Sequence, residues 1–166
     1  MSAENIQIEK LSIAQQQTDT SNDMLITVVL SNPSANSTMY VLDKLRNLDY
    51  DQSSHTLSIG LFEKEPGAGK KVSHPFIPNQ VPIPPQGKIE LTFRLPMKIT
   101  KYSLAKDEPF GQKKEILDIS TVEKVKCTVA FSPQTFQAES RVAGQEMLRD
   151  LSKWGQTVSA TFEVKL

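Results

Sequence analysis

The sequence is short of most of what reactive chemistry needs. It holds one cysteine, Cys127, and two histidines, His55 and His74, in 166 residues. One cysteine forms no internal disulfide, and zinc asks for three or four converging ligands, which two separated histidines do not provide. No apolar run approaches the 18 residues that would cross a bilayer as a helix. The N-terminus, Met1-Ser2-Ala3-Glu4-Asn5, shows neither a basic segment nor an apolar one, so no signal peptide is read there and a cytoplasmic location is expected. Neither charge sign is in excess. Lys and Arg number 19, as do Asp and Glu, and no basic cluster exceeds the pairs Lys70-Lys71 and Lys113-Lys114. That balance argues against a nucleic-acid partner.

The familiar catalytic and binding patterns are missing as well. Gly69-Lys70 is the nearest approach to a phosphate loop, but Lys64 stands where the first glycine belongs and Lys71 where Ser or Thr is needed. Asp43, Asp49 and Asp51 do not have calcium-loop spacing. No serine sits in a glycine elbow, and Cys127 falls on an inward-facing strand position, where a thiol acts as a small hydrophobe. Asn36-Ser37-Thr38 fits a glycosylation sequon, which matters only on a secretory route. The expectation is a protein that is not an enzyme and carries no metal and no cofactor.

Alternation is what the chain does have. Ile89, Leu91, Phe93 and Leu95 alternate with Lys88, Glu90, Thr92 and Arg94. Val125, Cys127, Val129 and Phe131 do so with Lys124, Lys126, Thr128 and Ala130. Val158, Ala160, Phe162, Val164 and Leu166 do so with Thr157, Ser159, Thr161, Glu163 and Lys165. A period of two puts one face in a core and the other in water, as in antiparallel sheets. Phe93 and Phe162 lie mid-face, so truncating either to Ala is expected to cost about 3–5 kcal/mol.

Four further strands are predicted. The first runs through Ile6, Ile8, Leu11 and Ile13, with a bulge at Lys10 where the parity slips. The second, Met24 to Leu30, is almost continuously apolar and reads as a central strand buried on both faces. Thr38 to Leu42 and Leu57 to Leu61 complete the set. Gln15 to Asn22 reads as a loop, and Asp43 to Asp51 as a connection able to hold one helical turn. Residues 63–87 and 97–121 read as long irregular connections, the former because it contains Pro66, Pro75, Pro78, Pro82, Pro84 and Pro85. Ser132-Pro133 opens a helix, with Ala143, Met147, Leu151 and Trp154 at helical spacing and Gly155 as its stop. The expected fold is therefore all-β: one antiparallel β-sandwich over residues 1–166, of about seven strands, with a helix over 137–154 between the last two and the first and last strands near one another.

This order of strands resembles the immunoglobulin-like and fibronectin-type sandwiches. The turn Val28-Val29-Leu30-Ser31-Asn32-Pro33-Ser34, followed by Pro82-Ile83-Pro84-Pro85-Gln86-Gly87 and the strand Ile89 to Leu95, is similar to late-embryogenesis-abundant water-stress domains. A similar layout occurs in the β-sandwich propeptides of fungal deuterolysin-like metallopeptidases and in intracellular proteinase-inhibitor sandwiches. The likeness covers roughly residues 5–96, and the 137–154 helix matches none of them. It implies a stress-protective or proteinase-inhibitory role. The residues themselves lead first to a non-catalytic module that binds another protein or serves as structure, and, as a further alternative, to an enzyme with a loop-built site. The segment His74-Pro75-Phe76-Ile77-Pro78 sets two large apolar residues between prolines. They either pack down as a plug or stand exposed as a contact, and Phe76 with Ile77 is the expected partner-binding site.

Overall fold

A computed structural model describes residues 5–63, 79–104, 112–136 and 151–166. Among them run eleven strands: β1 (Gln7–Gln17), β2 (Asn22–Ser31), β3 (Met39–Leu42), β4 (Asn47–Asp51), β5 (Thr56–Leu61), β6 (Gln80–Ile83), β7 (Lys88–Pro96), β8 (Lys98–Leu104), β9 (Gln112–Asp118), β10 (Lys124–Ser132) and β11 (Gln156–Glu163). The protein is all-β in its described part, apart from a 3-10 turn at Ile119–Thr121 and helical backbone at Leu151 and Ser152. No described helix is long and apolar enough to cross a membrane.

The strands form three sheets, ordered β1-β2-β7, β4-β5-β10-β3-β6 with β11 on β10, and β8-β9. The predicted bulge in β1 is there, as a register shift between Ile8 and Lys10 against β2. β1 runs to Gln17, further than the alternation suggested, and turns through Thr18 to Ser21, where the Thr18 N–H donates to the Ser21 carbonyl at 2.8 Å. β2 is central, between β1 and β7. Only one of its faces is fully buried: Met24, Ile26, Val28 and Leu30 are enclosed, whereas Leu25, Thr27 and Val29 are half-covered. One apolar cluster draws Ile26, Val28 and Leu30 from the first sheet together with Leu57, Ile59, Val125, Cys127 and Val129 from the second. β1 approaches β11, as the positions of the first and last strands suggested.

Several expectations are corrected. Seven strands become eleven because the supposed connections contain strands. Asn47 to Asp51 is β4, hairpinned to β5, not a helical turn. Residues 97–121 hold the β8–β9 hairpin, with Met97, Ile99, Leu117 and Ile119 buried at its base. Gln80 to Ile83 is β6 despite Pro82. It lies at the sheet's edge beside β3, where a missing N–H donor breaks no ladder. The pairing is not wholly antiparallel either. β5 and β10 run parallel from Thr56↔Lys124 to Leu61↔Val129. A parallel pair cannot be joined by a tight hairpin, and 62 residues separate Leu61 from Lys124. Of the predicted 137–154 helix, residues 137–150 lie outside the described residues.

The three alternating stretches form β7, β10 and β11 with the predicted inward parity through Phe162, but β11 ends at Glu163 and not at the last residue: Val164 still packs against the core, Leu166, expected inward, is exposed, and Ala130, expected outward, is buried. Their coverage differs. In β10, Val125, Cys127, Val129 and Phe131 are buried. In β7 only Leu95 is buried, whereas Ile89, Leu91 and Phe93, and in β11 Val158, Ala160 and Phe162, are partly buried against the core. Partial burial roughly halves the loss on truncation. Phe93→Ala and Phe162→Ala are each expected to cost about 2 kcal/mol, against about 3–5 for enclosed Phe131→Ala, read as shifts in the urea midpoint.

Cys127 is fully enclosed, and burial pushes its thiol from 9.0 up to about 12. The folded state then holds the proton more tightly than the unfolded chain does. This contribution to stability is intact below about pH 9 and is lost as pH rises toward 12. We expect no thiol labelling under native conditions, rapid labelling in denaturant, and a shallower alkaline loss of stability in Cys127→Ala. Stoichiometric labelling of the folded protein would contradict this.

Candidate cleft at the end of the second sheet

The site is built on a buried amide. Asn32 ends the β2 turn and is almost completely enclosed. Its Nδ2 donates to the carbonyls of Ser37 at 2.7 Å, Ile83 at 2.9 Å and Pro84 at 3.3 Å. Its Oδ1 accepts the Ser34 N–H at 3.0 Å. The backbone completes the join: Asn32 N–H donates to Gly87 O at 2.9 Å and Gln86 N–H to Ser34 O at 3.0 Å. Ser34 Oγ, also buried, accepts the Ser37 N–H at 3.0 Å. Thus the segments Asn32-Pro33-Ser34 and Pro82 to Gly87, noted in the sequence as two separate turn signals, form one fastener. Gln86 takes φ +58°, and Gly87 N–H closes the turn on Pro84 O at 2.8 Å. That is the turn with Pro at its second position and positive φ at its third.

The fastener fixes Ser37 and Met39 along one side of a cleft of about 490 Å³. The opposite side comes from the end of β10 (Phe131, Ser132, Pro133) and the start of β11 (Gly155, Gln156), with Asn5 closing one end. Gly155 makes that side possible. It adopts φ +74°, and a Cβ there would run into the Phe131 carbonyl oxygen and stand 2.9 Å from its carbon. Trp154 holds the same bend, donating its indole N–H to Gln134 O at 2.9 Å and its backbone N–H to Leu151 O at 3.1 Å. Nearby, the Gln80 amide accepts the Phe136 N–H and donates to Phe136 O at 3.1 Å, in the manner of a further ladder residue.

The chemistry of this lining is neutral. Asn5, Ser37, Ser132 and Gln156 offer hydroxyl and amide groups; Met39, Phe131 and Pro133 offer apolar surface. Neither serine has a histidine or a carboxylate beside it in the lining.

The sequence pointed elsewhere for a site. Phe76 and Ile77 lie outside the described residues, as does His74. His55 is half-buried at the end of the β4–β5 hairpin, with φ +52° and its Nδ1 3.4 Å from the Tyr50 hydroxyl. Tyr50 Oη is paired more closely, at 2.7 Å, with Thr121 Oγ1. Asp49 and Asp51 lie on β4 and Asp43 just beyond β3, and among the described residues no three His, Cys, Asp or Glu side chains gather as a metal site. Sequence reasoning missed the cleft. Ser132-Pro133 and Gly155 were noted as helix boundaries, which is where the cleft opens, but nothing local joins them to Met39. Family models, curated proteins and solved structures give no match to this chain.

Proposed function

We propose that the protein is a non-catalytic binding module, a β-sandwich of immunoglobulin-like arrangement whose partner is another protein. The observation that carries this reading is the cleft's lining: apolar Met39, Phe131 and Pro133 ringed by neutral amides and hydroxyls, with no charged group. The centres of protein interfaces are depleted in charge and enriched in Met and aromatic residues, with a polar rim. A general acid or base needs a titrating group within reach of the reacting atom, and the lining supplies none. The sandwich arrangement draws support from the single core to which both larger sheets contribute, from the antiparallel β10–β11 pairing and from the approach of β1 to β11.

Gln156→Trp tests it. Gln156 is exposed at the cleft's rim on a strand, where an indole is tolerated and would fill the opening. Peptides selected from a displayed library on the folded protein are expected to lose at least tenfold in affinity for Gln156→Trp, with the unfolding midpoint unchanged. Peptides that bind the variant equally well would place the binding surface elsewhere.

A further inference from the structure

The three-stranded sheet ends on a bare edge. In the order β1-β2-β7, β7 pairs on one side only, with β2, among the described residues. The other end of that sheet, β1, approaches β11. β7 is nine residues long, against about five or six for a usual strand, and a long open edge presents unpaired N–H and C=O groups to any strand that fits. Burial falls off toward it. Ile26, Val28 and Leu30 on β2 are enclosed, whereas their cross-strand neighbours Phe93, Leu91 and Ile89 on β7 are half-buried. We propose that this edge is closed by β7 of a second copy of the chain, in an antiparallel two-fold dimer centred on Thr92.

The residues of β7 set that register. Residues directly opposite one another in a ladder point to the same face, so in a two-fold pair each meets a residue of its own parity. Thr92 is the middle of Lys88–Pro96, and centring there pairs the strand over its whole length. Ile89 then meets the second copy's Leu95, and Leu91 its Phe93, apolar against apolar on the inward face. On the outward face Glu90 meets Arg94 twice, once on each side of the axis. Pro96, which has no N–H, falls at the end of the ladder. Other registers lose this match. One permitted step toward the N-terminus sets Lys88 against Arg94, and the next sets Glu90 against itself. Steps the other way set Glu90 against Pro96 and then Arg94 against itself. Like charges directly opposite destabilise a pair, so the longest register is also the one that matches charge.

Both charges are placed for this use. Glu90 and Arg94 are exposed, and on β2 they stand beside Val29 and Leu25, which carry no charge. Arg94 reaches back to Gln16 and, at 3.7 Å, to Asp23, which leaves further donors on a guanidinium that has several. The edges of the larger sheet differ. β4 is five residues long, and its own two-fold pairing centred on Asp49 would set two carboxylates face to face. β6 is four residues long and contains Pro82. No β7 residue lines the cleft, so the contact is independent of the binding reading above. It is one strand wide on each copy, at the small end of protein interfaces, so the dimer is expected to be weak and concentration-dependent.

The test is sedimentation equilibrium of the whole protein from about 10 µM to about 1 mM, with amide hydrogen exchange at both ends of that range. A monomer–dimer equilibrium is expected, with exchange in β7 slowed as concentration rises and exchange in β4 unchanged. Glu90→Arg and Arg94→Glu each turn two attractive pairs into two repulsive ones and should weaken self-association at least tenfold. Mixed together, the two variants face each other with opposite charges at both positions, and the mixture should recover the dimer. Structural damage by either swap would not be repaired by mixing. Should either variant unfold, Thr92→Lys, at the exposed axis position, sets like charge against like and should give the same loss. The proposal is overturned if the parent is monomeric throughout or if a dimer forms that the folded variants leave intact. It is also overturned if mixing two folded swaps does not restore the dimer. Exchange in β7 equally slow at both concentrations would overturn it too, because another part of the same chain would then cover the edge.

Discussion

Asn32→Ala is expected to lower the unfolding free energy by roughly 2–6 kcal/mol, taking about 1–3 for each buried polar group left without a partner. The side chain serves four backbone groups from three segments: the carbonyls of Ser37, Ile83 and Pro84 and the N–H of Ser34. Ser34 N–H and Ile83 O lie in buried surroundings, where water does not replace the lost amide. Asn32→Asp should be nearly as damaging, because a carboxylate keeps the bond from Ser34 but presents an acceptor to three carbonyl oxygens. The measurement is a urea midpoint with Thr27→Ala as the comparison, since the Thr27 hydroxyl meets Thr92 at an exposed 3.4 Å. If the Asn32 variants shift the midpoint no more than Thr27→Ala does, the fastener does not hold the β2 and β6 turns together. A loss of peptide binding with Asn32→Ala at temperatures where the protein remains folded would further tie the fastener to the cleft, because Ser37 lies on both.

Gly155→Ala is expected to cost roughly 2–4 kcal/mol, of which about 1–3 reflects a non-glycine residue held at positive φ. The remainder is steric. The Cβ would meet the Phe131 carbonyl, which is backbone and cannot rotate away as a long side chain could. Relief requires the chain to move where Phe131 pairs with Gln156, the last step of the β10–β11 register. Faster amide exchange should therefore appear at Phe131 and Gln156 before it appears at Val125 and Phe162. A variant as stable as the parent, with the exchange pattern unchanged, would show that the Gly155 bend is not required. Gly87→Ala offers a milder comparison, because the first atom its Cβ would meet is Pro84 Cγ, at 2.7 Å, and its φ is not positive.

Alternation by itself determined where β7, β10 and β11 run and which of their faces turn inward. The slip at Lys10 did the same for the β1 bulge, and the proline turns marked the ends of β2 and β6. These are local properties. A strand with one side in a core must alternate whatever it pairs with, and a turn at positive φ or with a fixed proline φ must use the residues that tolerate it. Only the tertiary structure decided the rest. β10 lies parallel to β5, 62 residues away in sequence, and the chain between them says nothing of that pairing. Parity placed Phe93, Phe131 and Phe162 on inward faces alike, but how much each is covered depends on what stands opposite. Phe131 is enclosed and the other two are not. β4 was hidden because its polar residues Asn47, Asp49 and Asp51 all face outward, and β6 because Pro82 is harmless only on an edge. The same reason kept the cleft out of the sequence: it joins Asn5, Met39, Phe131 and Gln156, residues far apart along the chain that only the folded protein brings together.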